Sequence, residues 1–132
     1  MRKLLIVDDN AELLFAMKSL LSFYDFDVRT ATTNKKLMEE IASFNPEIVI
    51  IDVLLCGEDG RDVCKTIRQD PSYKAITLIL FSASPRHLQG FNEHGADGVI
   101  EKPFGIKELI ENIDIAVQSR KEYLAGLNSD LV

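Results

Sequence analysis

The chain has no tryptophan, only three tyrosines and only two cysteines. Cys56 and Cys64 cannot form a disulfide framework, so a hydrophobic core must hold the fold, and free thiols in a reducing compartment are the simplest reading. No stretch of about 18 apolar residues occurs, which excludes a membrane-spanning helix. Positive charge is scarce: 15 Lys and Arg against 21 Asp and Glu leave a formal charge of -6, which argues against a general nucleic-acid binder. No G-x-G-x-x-G follows a strand and no Walker pattern occurs, so a nucleotide-binding loop has no support. The opening Met1-Arg2-Lys3-Leu4 passes directly into a strand pattern broken by Asp8, unlike a signal peptide. A cytoplasmic location is therefore expected, with no membrane partner and no direct nucleic-acid partner.

What the chain does have is length for one domain, 132 residues, and 46% hydrophobic residues to fill its core. Strand and helix patterns alternate five times. The spacing predicts strands at about residues 3–7, near Val28, at 48–52, at 76–81 and at 98–101. Between them it predicts helices over about 10–23, 34–44, 61–69 and 85–93. A last helix starts near Ile106 and is expected to end at Gly126. The apolar spacing of Leu13, Leu14, Met17, Leu20 and Leu21 is helical, and Asn10 is the expected cap. Such alternation implies a parallel sheet with helices on both faces and right-handed crossovers.

The run Ile48-Val49-Ile50-Ile51 reads as a strand buried on both faces. It ends in Asp52, at the carboxyl edge where open α/β sheets bind their ligands. Two other strand ends repeat the layout: Leu4-Leu5-Ile6-Val7 runs into Asp8-Asp9, and Val99-Ile100-Glu101 runs into Lys102. Like charges gathered on one rim are costly unless a cation joins them, so this rim asks for a metal and a phosphate-like ligand.

These residues resemble the receiver domains of two-component response regulators over about residues 3–117. Asp8 and Asp9 match the acidic pair, Asp52 the phosphoacceptor, and Ser82-Ala83 the hydroxyl residue with its small neighbour. Lys102-Pro103-Phe104 matches the lysine and the proline behind it, where the bond is usually cis, and Asp59-Gly60 matches a frequent pair after the phosphoacceptor loop. The resemblance implies a flavodoxin-like doubly wound five-stranded parallel sheet of order 2-1-3-4-5. It implies a donor phosphohistidine on a histidine kinase or phosphotransfer protein, and a downstream protein partner or parent-protein domain.

In that frame Asp52 is expected to be an exposed carboxylate nucleophile, able to form an acyl phosphate. Mg²⁺ would take direct oxygens from Asp9, Asp52 and the Leu54 backbone carbonyl, and a water-mediated contact from Asp8. Lys102 supplies a point charge for a phosphoryl oxygen, and Ser82 and the Ala83 N–H donate to the others. The protein would not act as an enzyme on a free metabolite; its own phosphorylation and dephosphorylation would be its only chemistry.

Three positions depart from the family pattern. Val99 stands where most members carry Tyr or Phe, so no ring is available to turn inward. Leu55-Cys56 replaces the usual Met-Pro of the loop. Leu54 and Ser84 occupy the positions that tune phosphate lifetime. Two other readings stay open: a degenerate receiver that binds partners constitutively, and an aspartyl-nucleophile phosphatase, though Asp8-Asp9-Asn10 lacks the Asp-x-Asp spacing of that class.

The remaining chemistry-bearing residues have bland readings. Cys56 is a loop thiol. His87 and His94, seven apart on one expected helix, are surface residues too few for a metal site. Lys35-Lys36 and Arg120-Lys121 are solvated faces. Residues 1–118 are expected to form the receiver domain and residues 119–132 a helical extension or tail. A twelve-residue helix already spans a sheet of this height, so the apolar Tyr123, Leu124 and Leu127 would project beyond it and could pair two copies.

Overall fold

Branched aliphatics dominate the strand segments, and they assemble into one five-stranded parallel sheet. The computed structural model describes residues 1–55 and 57–130; Cys56, read above as a loop thiol, lies outside them. The sheet strands are β1 (Arg2–Val7), β2 (Phe26–Ala31), β3 (Ile48–Asp52), β6 (Thr77–Ser82) and β7 (Gly98–Glu101). Between β3 and β6 lies a small antiparallel ribbon of β4 (Leu54–Leu55) and β5 (Glu58–Asp59), which hydrophobic periodicity did not reveal. The helices are α1 (Ala11–Leu21), α2 (Asn34–Phe44), α3 (Gly60–Gln69), α4 (Pro85–Leu88) and α5 (Ile106–Asp130). The sheet order is β2-β1-β3-β6-β7. Counting its five strands alone, this is the expected order 2-1-3-4-5.

Central β3 is buried along its whole length. It pairs in parallel with β1 on one side, Val7 beside Ile51, and with β6 on the other, Asp52 beside Phe81. Side chains alternate across the sheet, so two cores form. On one face Leu5, Val7, Val49, Ile51, Leu78 and Leu80 pack with Leu37 and Ile41 of α2 and Val63, Cys64 and Ile67 of α3. On the other, Leu4, Ile6, Ile48, Ile50, Ile79 and Phe81 pack with Leu14, Met17 and Leu21 of α1 and Leu109, Ile113 and Ala116 of α5. Gly98 lets α5 lie close to β7, since a Cβ there would come within 2.9 Å of the Ala116 Cβ.

Helix starts follow local capping chemistry. Asn10, Thr33 and Asp59 accept the backbone N–H of Leu13, Lys36 and Arg61 and so begin α1, α2 and α3. The expected helix over 85–93 is instead broken. α4 has Pro85 in its first turn and no side-chain cap, and it stops at Gln89; Gly90 is left-handed at φ 66 and a 3-10 turn runs over Phe91–His94. His87 and His94 therefore do not share a helix face.

Two expectations about the last helix change. Gly126 does not end it, because α5 continues to Asp130. Its overhang is also partly covered: Leu124 is half-buried and lines a cleft with Pro46, Ile48 and Ile76 under the sheet. Tyr123 and Leu127 do stay exposed.

Candidate functional site

All the parallel strands point their carboxyl ends to one rim, and there the acids gather. Asp8 follows β1, Asp52 closes β3, and one carboxylate oxygen of each of Asp8, Asp9 and Asp52 lies within 4.8 Å of the others. Asp9 is exposed, but Asp8 and Asp52 are buried; the exposed carboxylate expected at Asp52 is instead covered, because it closes a central strand flanked on both sides. Lys102, just past β7, reaches back across the rim. Its Nζ donates to Asp8 Oδ2 at 2.8 Å and to Asp52 Oδ2 at 3.3 Å. The two buried carboxylates thus share one ammonium, with Asp9 beside them.

Neighbouring backbone fixes the carboxylates. Asp8 Oδ1 accepts the Asn10 N–H at 2.9 Å, and Asp52 Oδ1 accepts the Leu54 N–H at 3.1 Å. Burial pushes the Asp52 carboxyl above its usual range and the charge of Asp8 adds to this, while the Leu54 N–H and Lys102 oppose it. Asp52 is therefore a carboxylate whose charge is under-compensated. Below it, Gly60 opens α3 so close to the strand end that a Cβ would land on the Asp52 carbonyl oxygen. The Gly60 N–H also donates to the Val53 carbonyl at 2.7 Å. Glycine at this position is a packing requirement.

Ser82 and Ala83 end β6 beside the acids; Ser82 is buried and Ala83 exposed. The Lys102 N–H donates to the Ser82 carbonyl at 2.9 Å, which ties the lysine's segment to the serine's strand. The Lys102–Pro103 peptide is cis. Leu54 sits in the ribbon with its side chain exposed. Every residue singled out on the strand ends therefore reaches the same rim.

One contact had no sequence signal. Lys102 Nζ stands 4.3 Å from the centroid of the buried Phe81 ring, a cation–π contact that braces the ammonium from below. His87, read as a surface residue beside the site, is half-buried, and its Nδ1 lies 3.5 Å from Ser82 Oγ.

The donor set fits a small hard cation. Three carboxylates exceed the single lysine in charge, and Lys102 already bridges two of them, so the rim accepts positive charge. An octahedron with metal–oxygen bonds of about 2.0–2.1 Å spans roughly 4 Å between opposite oxygens, which suits carboxylates at this spacing with waters completing the shell.

A doubly wound sheet with an acidic, lysine-bridged rim is the frame into which the comparisons fall. The sequence matches the response regulator receiver domain family over residues 4–114, so the chain belongs to that family. Among curated relatives, the sensory transduction protein BceR of Halalkalibacterium halodurans is 30% identical over 125 residues, covering 93% of this chain and 53% of BceR. The DNA-binding response regulator MtrA of Mycobacterium tuberculosis is 30% identical over 112 residues, covering 85% and 49%. The chain thus spans about half the length of these relatives. Among solved structures, NtrX from Brucella abortus superposes with a TM-score of 0.82 at 26% identity, covering 100% of this chain and 30% of that one. The chemotaxis response regulator CheY4 of Vibrio cholerae, at 24% identity and a TM-score of 0.79 over 88% of this chain, shares the fold.

Proposed function

We propose that this receiver accepts a phosphoryl group on Asp52 in a Mg²⁺-dependent reaction and that the modification alters binding to a partner protein. The supporting observation is the convergence of Asp8, Asp9, Asp52 and Lys102 on one rim with negative charge in excess. Asp52 alone closes the central strand with a nucleophilic atom.

In the reaction a carboxylate oxygen of Asp52 attacks phosphorus, and the bond from phosphorus to the donor's imidazole nitrogen breaks with its electron pair going to that nitrogen. An aspartyl phosphate and a free histidine result. Magnesium, held by Asp9, Asp52 and the Leu54 carbonyl with Asp8 behind a water, would neutralise charge on the phosphoryl oxygens. Lys102 is close enough to exchange its Asp52 contact for a phosphoryl oxygen, and Ser82 with the Ala83 N–H would donate to the remaining ones. Positioning and charge neutralisation are most of what phosphoryl transfer asks of a protein.

The donor in this reading is a histidine kinase or phosphotransfer protein, and the output is a protein partner or a domain of a parent protein. Residues 1–118 act as the receiver and 119–132 as an extension through which two copies could pair. A cytoplasmic site of action goes with this reading. Among the described residues no helix is long and apolar enough to cross a membrane.

Incubation with acetyl phosphate and Mg²⁺, followed by intact-mass measurement, tests the assignment. Wild type should gain one phosphoryl mass and Asp52→Asn none, with both variants folded by circular dichroism. An Asn variant that is phosphorylated as fully as wild type would place the chemistry elsewhere.

A further inference from the structure

Ser82 has a second attachment besides the rim. Its Oγ accepts the Ser84 N–H at 3.1 Å and lies 3.5 Å from His87 Nδ1. With one lone pair taken by Ser84, the hydroxyl can give its proton to Nδ1 in the imidazole tautomer that leaves this nitrogen bare. Ser82 is 2% exposed and His87 half-buried, so water competes poorly for the contact.

The element that carries His87 is small. α4 is a four-residue turn with no side-chain cap; Leu88 is its buried residue, and left-handed Gly90 follows. A single turn of helix has almost no stability of its own, so its side-chain attachments decide where it sits. At the neighbouring strand Val99 brings neither ring nor polar atom. It packs aliphatically against the core beneath α2 and α3. His87 instead brings a ring nitrogen to 3.5 Å from the hydroxyl.

We infer that His87 is a positioning residue that couples the orientation of the Ser82 hydroxyl to the placement of α4. The hydroxyl has one proton. It can bond either His87 Nδ1 or an oxygen of a group on Asp52, and a bond to an ionised oxygen is roughly twice as strong as a neutral one. A phosphoryl group that recruits Ser82 therefore detaches His87, and the α4 turn becomes free to move. This second step rests on the reading of Asp52 as phosphoacceptor; the Ser82–His87 coupling does not, so the two can fail separately.

Amide exchange in the unmodified protein tests the coupling by itself. His87→Phe, which keeps the bulk without an acceptor, and Ser82→Ala should each speed exchange at Arg86–Gln89, and the double variant should add nothing to Ser82→Ala, which already removes the Ser84 bond as well. His87→Gln, which keeps an acceptor, should restore protection toward wild type. Beryllofluoride with Mg²⁺, a phosphoryl mimic, tests the second step. Wild-type amide resonances should shift at both Asp52–Leu55 and Arg86–Gln89, whereas the Phe variant should shift at Asp52–Leu55 alone and still take up phosphoryl by intact mass. Unchanged exchange in His87→Phe, or additive effects in the double variant, would overturn the coupling. A wild-type response at Arg86–Gln89 in the Phe variant would overturn the release step. A wild type that takes up neither beryllofluoride nor phosphoryl would instead refute the reading of Asp52.

Discussion

At the carboxyl end of the sheet two buried carboxylates share one lysine, with a third carboxylate beside them; at the amino end two arginines share one carboxylate. The second cluster is Arg68, Asp97 and Arg120, with side chains 15%, 8% and 9% exposed. Its cations are held by backbone carbonyls as well as by Asp97. Arg68 donates to Asp97 at 2.9 Å and to the carbonyls of Gly95 and Ile76 at 2.9 Å each. Arg120 places Nε and Nη2 on the Lys74 carbonyl at 2.9 and 2.6 Å. Asp97 also takes the Leu78 N–H at 2.9 Å. Burial pushes the Asp97 carboxyl up, and the Leu78 N–H and both guanidinium groups pull it back. Asp52 is pushed up by burial too, but there the next influence, Asp8, pushes the same way. Buried charge therefore does not by itself mark a functional site. At the base backbone carbonyls take up the donors that one carboxylate leaves over; at the rim the charge in excess is negative.

The largest effect should come from opening the closed cluster. Arg68→Met leaves the Gly95 and Ile76 carbonyls and part of Asp97 without a donor. Removing one member of a buried ion pair costs about 3–5 kcal/mol. Urea denaturation should show a loss of this size with an unchanged slope. A variant within about 0.5 kcal/mol of wild type, the range of ordinary surface changes, would put the base cluster in solvent and end the contrast.

The rim should behave in the opposite sense, gaining stability from an added cation. A ligand bound only by the native state stabilises by mass action, about 2.7 kcal/mol at a hundred times its dissociation constant. Titrating Mg²⁺ at constant ionic strength should raise the melting temperature of wild type. Asp9→Ala should remove the rise, while Arg68→Met should lower the starting temperature and keep it. A wild type indifferent to millimolar Mg²⁺ would make the rim as closed as the base.

The contrast also explains which parts were legible in the sequence. Strand ends are read directly: an aliphatic run stopping at Asp8, Asp52 or Lys102 needs no tertiary information, because parallel strands send every carboxyl end to one rim. The base cluster was missed for the complementary reason. Arg120-Lys121 reads as a solvated pair, yet Arg120 is buried and lies on the core stripe of Ile113, Ala116 and Leu124. A polar residue on an apolar stripe was the available signal. α4 is shorter than the expected helix because left-handed Gly90 breaks it, and the two-residue strands of the ribbon are too short for any period to show.

Between the two clusters in character stands Asp59, and it yields the smallest effect. It closes the ribbon opposite Leu54, caps α3, and grips Arg61 through Nε at 2.9 Å and Nη2 at 2.7 Å. The Arg61 hydrogen bonds hold its carboxyl below the usual range against a modest opposing push from burial. Its folded value thus lies below its unfolded one, so the ion pair adds stability above the unfolded value, and that contribution is lost as pH falls through the folded value. The side chains are 35% and 28% exposed, so water screens the pair and about 0.2–1 kcal/mol is expected. Asp59→Asn keeps a capping oxygen and removes only the charge. The variant should be slightly less stable than wild type at neutral pH, and the difference should vanish in strong acid, as followed by urea unfolding across the pH range. A deficit that persists in acid would mean that the shape of the cap, and not the charge of Asp59, holds the start of α3 beneath Asp52.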